Sequence, residues 1–278
     1  MWLIIPVNAQ NKPCQFDEKT MQFAGKPVEQ ARCLLRPNKI GGVLDIELKK
    51  LPNPLEKLIG EKVKIKNEKL RKYLQTKQIT EENLGGNLDE PLSKAKLPDG
   101  EEIQALYFII HDTSYPYFKD ADEFPADINE SSYRGNSLEV WLKNPVAHIF
   151  VNRLGESITT TPFAETTRKG WGTKFAREVL KADGKGAQIH IELIQPRRRD
   201  KSNPNPNNDL IAPKIGFTES QYQRLALLYV CASVRRGTWL IPAYHSAIDA
   251  GIKDAHDDPQ NFELEKFANE LKKLIDKM

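Results

Sequence analysis

A mixed α/β fold, with a central, mostly mixed sheet flanked by helices, is what this chain predicts. Three observations carry that expectation. Residues 105–110 and 187–193 are apolar runs of strand length, residues 218–236 and 261–276 repeat apolar side chains at helical spacing, and strand-like segments are interspersed with helical ones. The result is a layered molecule whose chemistry should sit at strand ends.

At 278 residues the chain is long enough for one large domain with a smaller appendage. Residues 83–100 carry Gly85-Gly86, Pro91 and Pro98 with little apolar periodicity, so the boundary is placed there: an N-terminal domain of unknown role over 1–98, a second domain over 99–278. The 41 basic and 38 acidic side chains leave a formal net charge of +3, too balanced for a nucleic-acid partner yet compatible with an anionic substrate such as a cell wall. No apolar run reaches the ~18 residues of an integral membrane segment. Residues 2–9, Trp2-Leu3-Ile4-Ile5-Pro6-Val7-Asn8-Ala9, fit two readings, a signal remnant with a small-residue cleavage site or an N-terminal strand. Of three cysteines, Cys231 lies in an apolar helical stripe, whereas Cys14 and Cys33 share a loop-rich region; a Cys14–Cys33 disulfide is the hypothesis, and it requires an oxidising compartment.

In order along the chain, Val43–Leu48 alternates as a half-buried strand does, and so does Lys62–Lys66. A polar, basic stretch to Gln78 reads as a solvated face. Residues 105–110 form a strand that presents His111-Asp112-Thr113 at its end. A surface loop rich in Pro, Asp and aromatic residues follows, then a short helix at Ser137–Leu142. Val146–Val151 and Glu156–Thr159 flank Arg153-Leu154-Gly155 as a hairpin. Thr166–Leu180 contains Trp171, read with Tyr115 as packing, and a short helix.

Period-two alternation in residues 187–193 puts Gln188, His190 and Glu192 on one face and Ile189, Ile191 and Leu193 on the other. A glutamate in so apolar a run must find a partner or line a cavity. Residues 195–213, with Arg197-Arg198-Arg199, read as a long polar loop. Thr218 and Gln221 form a capping box for a helix that Gly237 ends, and Leu264, Phe267, Leu271 and Leu274 stripe a last helix over 261–276. Between these helices, Trp239–Pro242 reads as a buried strand leading into Tyr244-His245-Ser246 and on to His256-Asp257-Asp258-Pro259. Imidazoles and carboxylates together are what zinc takes as ligands, and His111 supplies an imidazole from a distant segment.

Five segments in order resemble the zinc-dependent N-acetylmuramoyl-L-alanine amidases of type 2, the superfamily that includes the peptidoglycan recognition proteins. They are Phe108–Thr113, Ala147–Gly155, Ile189–Leu193, the helix opened by Phe217-Thr218-Glu219, and Tyr244-His245-Ser246 leading to Asp258-Pro259, covering about residues 104–275. The resemblance implies His111, His245 and Asp258 as ligands of a Zn2+ cofactor, Glu192 as the catalytic carboxylate, and His256 as the group that steadies the transition-state oxyanion. The gap from His245 to Asp258 is longer than in the relatives, so Asp257 and His256 stand as rivals for the third ligand. Two histidines and one carboxylate leave a fourth position open, as a catalytic zinc requires. His148 and His190 match no metal ligand, and His190, which replaces a usually small residue, shares the Glu192 face and is expected to line the cleft.

The implied function is hydrolysis of the amide between N-acetylmuramic acid and L-alanine, with peptidoglycan as partner and a periplasmic or secreted location; recycling of soluble muropeptides would place the same chemistry in the cytoplasm. A non-catalytic peptidoglycan-recognition module is the alternative, and an antibacterial effector or lysin would use the same catalytic domain.

Overall fold

The computed structural model describes residues 12–39, 43–119, 123–167, 172–201 and 210–278. The signal-like run at 1–9 and Trp171 therefore lie outside the described residues. Five strands form the central sheet: β1 (Tyr107–Asp112), β2 (Ile149–Val151), β3 (Ser157–Thr159), β4 (Gln188–Leu193) and β5 (Ile241–Tyr244), in the order β3-β2-β4-β1-β5. β2, β4, β1 and β5 run parallel and β3 returns antiparallel to β2, so the sheet is mixed. The β2–β3 return is the expected hairpin around Gly155.

Strands covered on both faces read as near-continuous apolar runs, and β1 is buried along its whole length. On one face, helix α3 (Glu219–Arg236) covers the sheet and α5 (Leu264–Asp276) packs against α3; Tyr229 of α3 meets Phe108 of β1 edge-on at 5.3 Å and Phe267 of α5 at 5.8 Å. The capping box holds as the spacing predicts, Gln221 N donating to Thr218 Oγ1 (3.2 Å) and Thr218 N to Gln221 Oε1 (3.1 Å), while Gly237 closes the helix at φ 81°. The last helix starts at Leu264, three residues later than the expected Asn261.

The opposite face is covered by α1 (Pro27–Leu34) and by residues 172–187. Tyr107 Oη of β1 donates to Gln30 Oε1 of α1 (2.8 Å) and accepts from Phe23 N (2.8 Å), and Phe23 stacks on Phe175. Phe23, Leu34, Leu55, Leu70, Leu74 and Leu84, all from the segment before residue 98, belong to the same contiguous apolar cluster as the sheet residues. Cys14 and Cys33 are joined by a disulfide that ties the segment before α1 to its last turn, and Cys231 is free and buried in α3.

Four local readings differ from the structure. Among the described residues, Val43–Leu48 pairs as a strand only at Val43–Leu44, with Asn38–Lys39. Lys62–Lys66 does alternate, Val63 and Ile65 packing on the core, but its only strand-like pairing among the described residues is one bridge between Lys62 and Thr238. The polar stretch that follows is helix α2 (Asn67–Thr76), which buries Leu70 and Leu74 and keeps its charged face in solvent. The supposed loop around the three arginines is likewise partly ordered: Arg197–Arg199 pairs with Tyr117–Phe118 and with Leu210–Ile211 in a separate three-stranded sheet.

Candidate metal centre

Parallel strands bring their carboxyl ends to one edge, which is where α/β sheets place their ligands. At that edge β4, β1 and β5 lie side by side. The register sets His111 beside Glu192 and Ile109 beside His190, so His111, His190 and Glu192 all face the α1 side of the sheet, as period-two alternation requires. β5 ends at Tyr244, and the short helix α4 (His245–Ile248) begins at once, placing the buried His245 next to His111.

The third group arrives from the loop beyond α4. Ser246 N donates to the Asp258 carbonyl (2.9 Å) and Asp112 N to Asp258 Oδ2 (3.2 Å), so one segment holds the main chain of Asp258 and another its carboxylate. Asp112, itself fully buried, accepts from Arg197 Nη2 (2.7 Å) and from Gln260 N (3.0 Å), which secures the residues just after Asp258. Neither buried charge is left without an opposite partner, the condition under which such a pair is tolerated.

His111, His245 and Asp258 thereby offer three donor atoms within 4.8 Å of one another, a group that can hold a metal ion. The two Nδ1 atoms are 2.9 Å apart; Asp258 stands 3.0 Å from His245 Nδ1 through Oδ1 and 3.6 Å from His111 Nδ1 through Oδ2. Ligands at ~2.0–2.1 Å around a tetrahedral zinc are ~3.3 Å apart, and these separations bracket that value. Between the rivals for the third ligand the arrangement favours Asp258. Asp257 turns to Gln260 Nε2 (2.6 Å) and Arg197, while His256 is 55% exposed and 3.6 Å from Asp258 Oδ1.

Both histidines are held from behind. His245 Nε2 donates to Asp249 Oδ2 (2.8 Å), and Asp249 also accepts from the backbone N–H groups of Lys174 (3.2 Å) and Phe175 (2.8 Å). His111 Nε2 lies 2.9 Å from His190 Nδ1. Outer partners of this kind set which ring nitrogen faces a metal. Neither role follows from the zinc-site pattern in the sequence. The i,i+4 spacing of His245 and Asp249 within one helical turn was its available signal, whereas His190 needed the pairing of β4 with β1. His190 is 1% exposed, so it lies under the site and does not line a cleft.

No family model, curated protein or solved structure matches the chain. What the site can do follows from its own donors and their charge. Burial, and then the neighbouring His245, pushes His111 down to about 3; burial would lower His245 too, but Asp258 and Asp249 hold it well above the usual imidazole range. Asp258 is correspondingly held low by His245 against the cost of its burial. Glu192 is the carboxylate that burial, helped by Asp258, drives well above the usual range. Its Oε1 lies 3.9 Å from His111 Nδ1, and its Oε2 is buried with no hydrogen-bond partner among the described residues. An orphaned carboxylate oxygen beside three converging donors suits proton transfer at a metal site.

Beside Glu192 in the register stands Phe150, on which Trp141 stacks at 4.4 Å, with Tyr115 half-exposed at the edge of Trp141. Trp141 and Tyr115 thus line the same end of the sheet as the candidate centre.

Proposed function

We propose that this chain is a zinc-dependent N-acetylmuramoyl-L-alanine amidase with the type 2, peptidoglycan-recognition-like fold, cutting the amide between the lactyl group of N-acetylmuramic acid and the L-alanine of the stem peptide. The observation that carries this reading is the convergence of His111, His245 and Asp258 beside the orphaned Glu192 carboxylate. The ordered resemblance of five segments supports it. Two imidazoles and one carboxylate are a catalytic donor set, and a structural zinc would instead close all four positions with protein side chains.

His111 Nδ1, His245 Nδ1 and the Asp258 carboxylate would hold the ion. Zinc bound there would supply a nucleophile at neutral pH and polarise the scissile carbonyl. Glu192 takes the proton of the attacking water and gives it to the departing L-alanine nitrogen as the C–N bond breaks, leaving a lactyl carboxyl group and a free amine. A carboxyl group raised by burial and lowered again by a nearby cation is poised to do both, work typically worth ~10²–10⁴-fold. His256, half-exposed at the rim beside Asp258, donates to the oxygen that becomes negative as water adds. The Cys14–Cys33 disulfide supports a periplasmic or secreted location, where this substrate lies.

The test is incubation of the purified protein with sacculi and zinc, followed by separation of glycan strands from stem peptides. Release that stops with a chelator and returns with zinc is the expected result. Binding without release would favour a recognition module, and neither would remove the reading. Glu192→Ala is expected to lose at least ~10²-fold in turnover while still binding zinc; loss of the metal in that variant would count against the role of Glu192.

A further inference from the structure

We propose that His190 is a positioning residue for the metal: its Nδ1 accepts from His111 Nε2 and thereby fixes the tautomer that presents His111 Nδ1 to the ion. The inference rests on the metal-site reading above and concerns a residue outside the donor set. A histidine that gives Nδ1 to a metal must carry its proton on Nε2, and that N–H needs an acceptor. In this chain the acceptor is another imidazole, 2.9 Å away on the adjacent strand.

His190 is held in that role by two neighbours of its ring. His148 stacks nearly parallel, ring centres 5.8 Å apart at 9°. The tautomer of His148 follows from its partners. The Glu165 carbonyl, 3.0 Å from Nε2, only accepts, so Nε2 carries the proton, and Nδ1 is left to accept from His190 N (3.0 Å). His148 N in turn donates to the His190 carbonyl (3.1 Å), so residue 190 is pinned at both ends of its backbone. Against the ring also lies Gly172, at φ +71°. A Cβ there would sit 2.4 Å from His190 Cε1, so the backbone of residue 172 occupies the space against the ring and only glycine allows it.

With Nδ1 accepting, the proton of His190 is on Nε2, a buried nitrogen without a hydrogen-bond partner among the described residues. A buried polar atom left unpaired is unfavourable, and a small apolar side chain would avoid it. Retaining an imidazole here is explained by the acceptor that it presents to His111.

The experiment compares zinc affinity, by competition with a chromophoric chelator, and the visible spectrum of the cobalt-loaded protein for the wild type, His190→Ala, His190→Asn and His190→Gln. Asparagine places its amide oxygen where Nδ1 was, whereas glutamine keeps size and polarity but carries its oxygen past that point. Zinc affinity is expected to fall about 10–100-fold in the alanine and glutamine variants with an altered cobalt spectrum, and to return to within a few-fold of wild type in the asparagine variant. Thermal melting without metal reports whether each variant folds; if the alanine variant does not, the asparagine-to-glutamine difference carries the test. Equal zinc affinity and an unchanged cobalt spectrum across the folded variants would overturn the role of His190 while leaving the site standing. Failure of the wild type to bind either metal would instead remove the site reading itself.

Discussion

The two histidines of the candidate centre perform one task from contrasting supports. His245 sits in the first turn of a helix and leans on Asp249, a carboxylate four residues on, inside the same stretch of chain. His111 sits at the end of a strand and leans on His190, a neutral imidazole 79 residues away. The two also differ in electrostatic setting: the carboxylates of Asp258 and Asp249 hold His245 well above the usual imidazole range, while burial and then His245 push His111 down to about 3. Asp249 therefore orients His245 and adds to the field that Asp258 leads, whereas the long-range imidazole supplies orientation alone.

Four experiments would break or sharpen that contrast. The largest effect is expected where both histidines meet a common partner: Asp258→Ala should lower zinc affinity by more than the ~100-fold that an outer partner reaches, with Asp257→Ala and His256→Ala close to wild type in the same chelator competition. Next, Asp249→Ala should cost about 100-fold in zinc affinity and, because it strands the N–H groups of Lys174 and Phe175, about 1–3 kcal/mol of folding stability by urea denaturation. His190→Ala lacks that backbone role, so a greater stability loss there than for Asp249→Ala would reverse the comparison.

The pH dependence of the zinc-free protein should separate the pair by sign. His245 has a raised folded-state value, so its contribution is fully present below the unfolded value of ~6.5 and is lost as pH rises through the folded one. His111 is depressed to about 3, so the unfolded chain binds the extra proton and stability is lost as pH falls from ~6.5 toward 3. Each slope is on the order of 1.4 kcal/mol per pH unit per proton. Denaturation midpoints from pH 5 to 8 are expected to lose the alkaline decline in His245→Gln and to lose part of the acid decline in His111→Gln. The smallest effect is expected from Gly172→Ala, a few-fold drop in zinc affinity through a displaced His190 ring, with the Asp249 side untouched.

Much of the frame was legible without coordinates. The capping box at Thr218 and Gln221, the glycine stop at Gly237 and the alternation that aims His190 and Glu192 to one side are local rules obeyed within a few residues. The helical nature of residues 67–76 was hidden because only Leu70 and Leu74 mark its buried face amid charged side chains. The two-residue pairing at Val43–Leu44 and the ordering of Arg197–Arg199 depended on partners that no local pattern announces.

By itself, then, the sequence determined which side chains stand at the ends of which apolar runs, because strand and helix periods are properties of neighbouring residues. Only the tertiary structure decided that the Asp258 carboxylate stands within reach of both imidazoles, while the His256 ring packs beside His245, since Ser246 N, Asp112 N and the Asp112–Arg197 pair orient that loop from three separate segments. It also decided that His190 backs His111, because that contact exists only once β4 lies against β1. Periodicity acts over a turn or a pleat; a metal site is made of distances between residues that the chain keeps far apart.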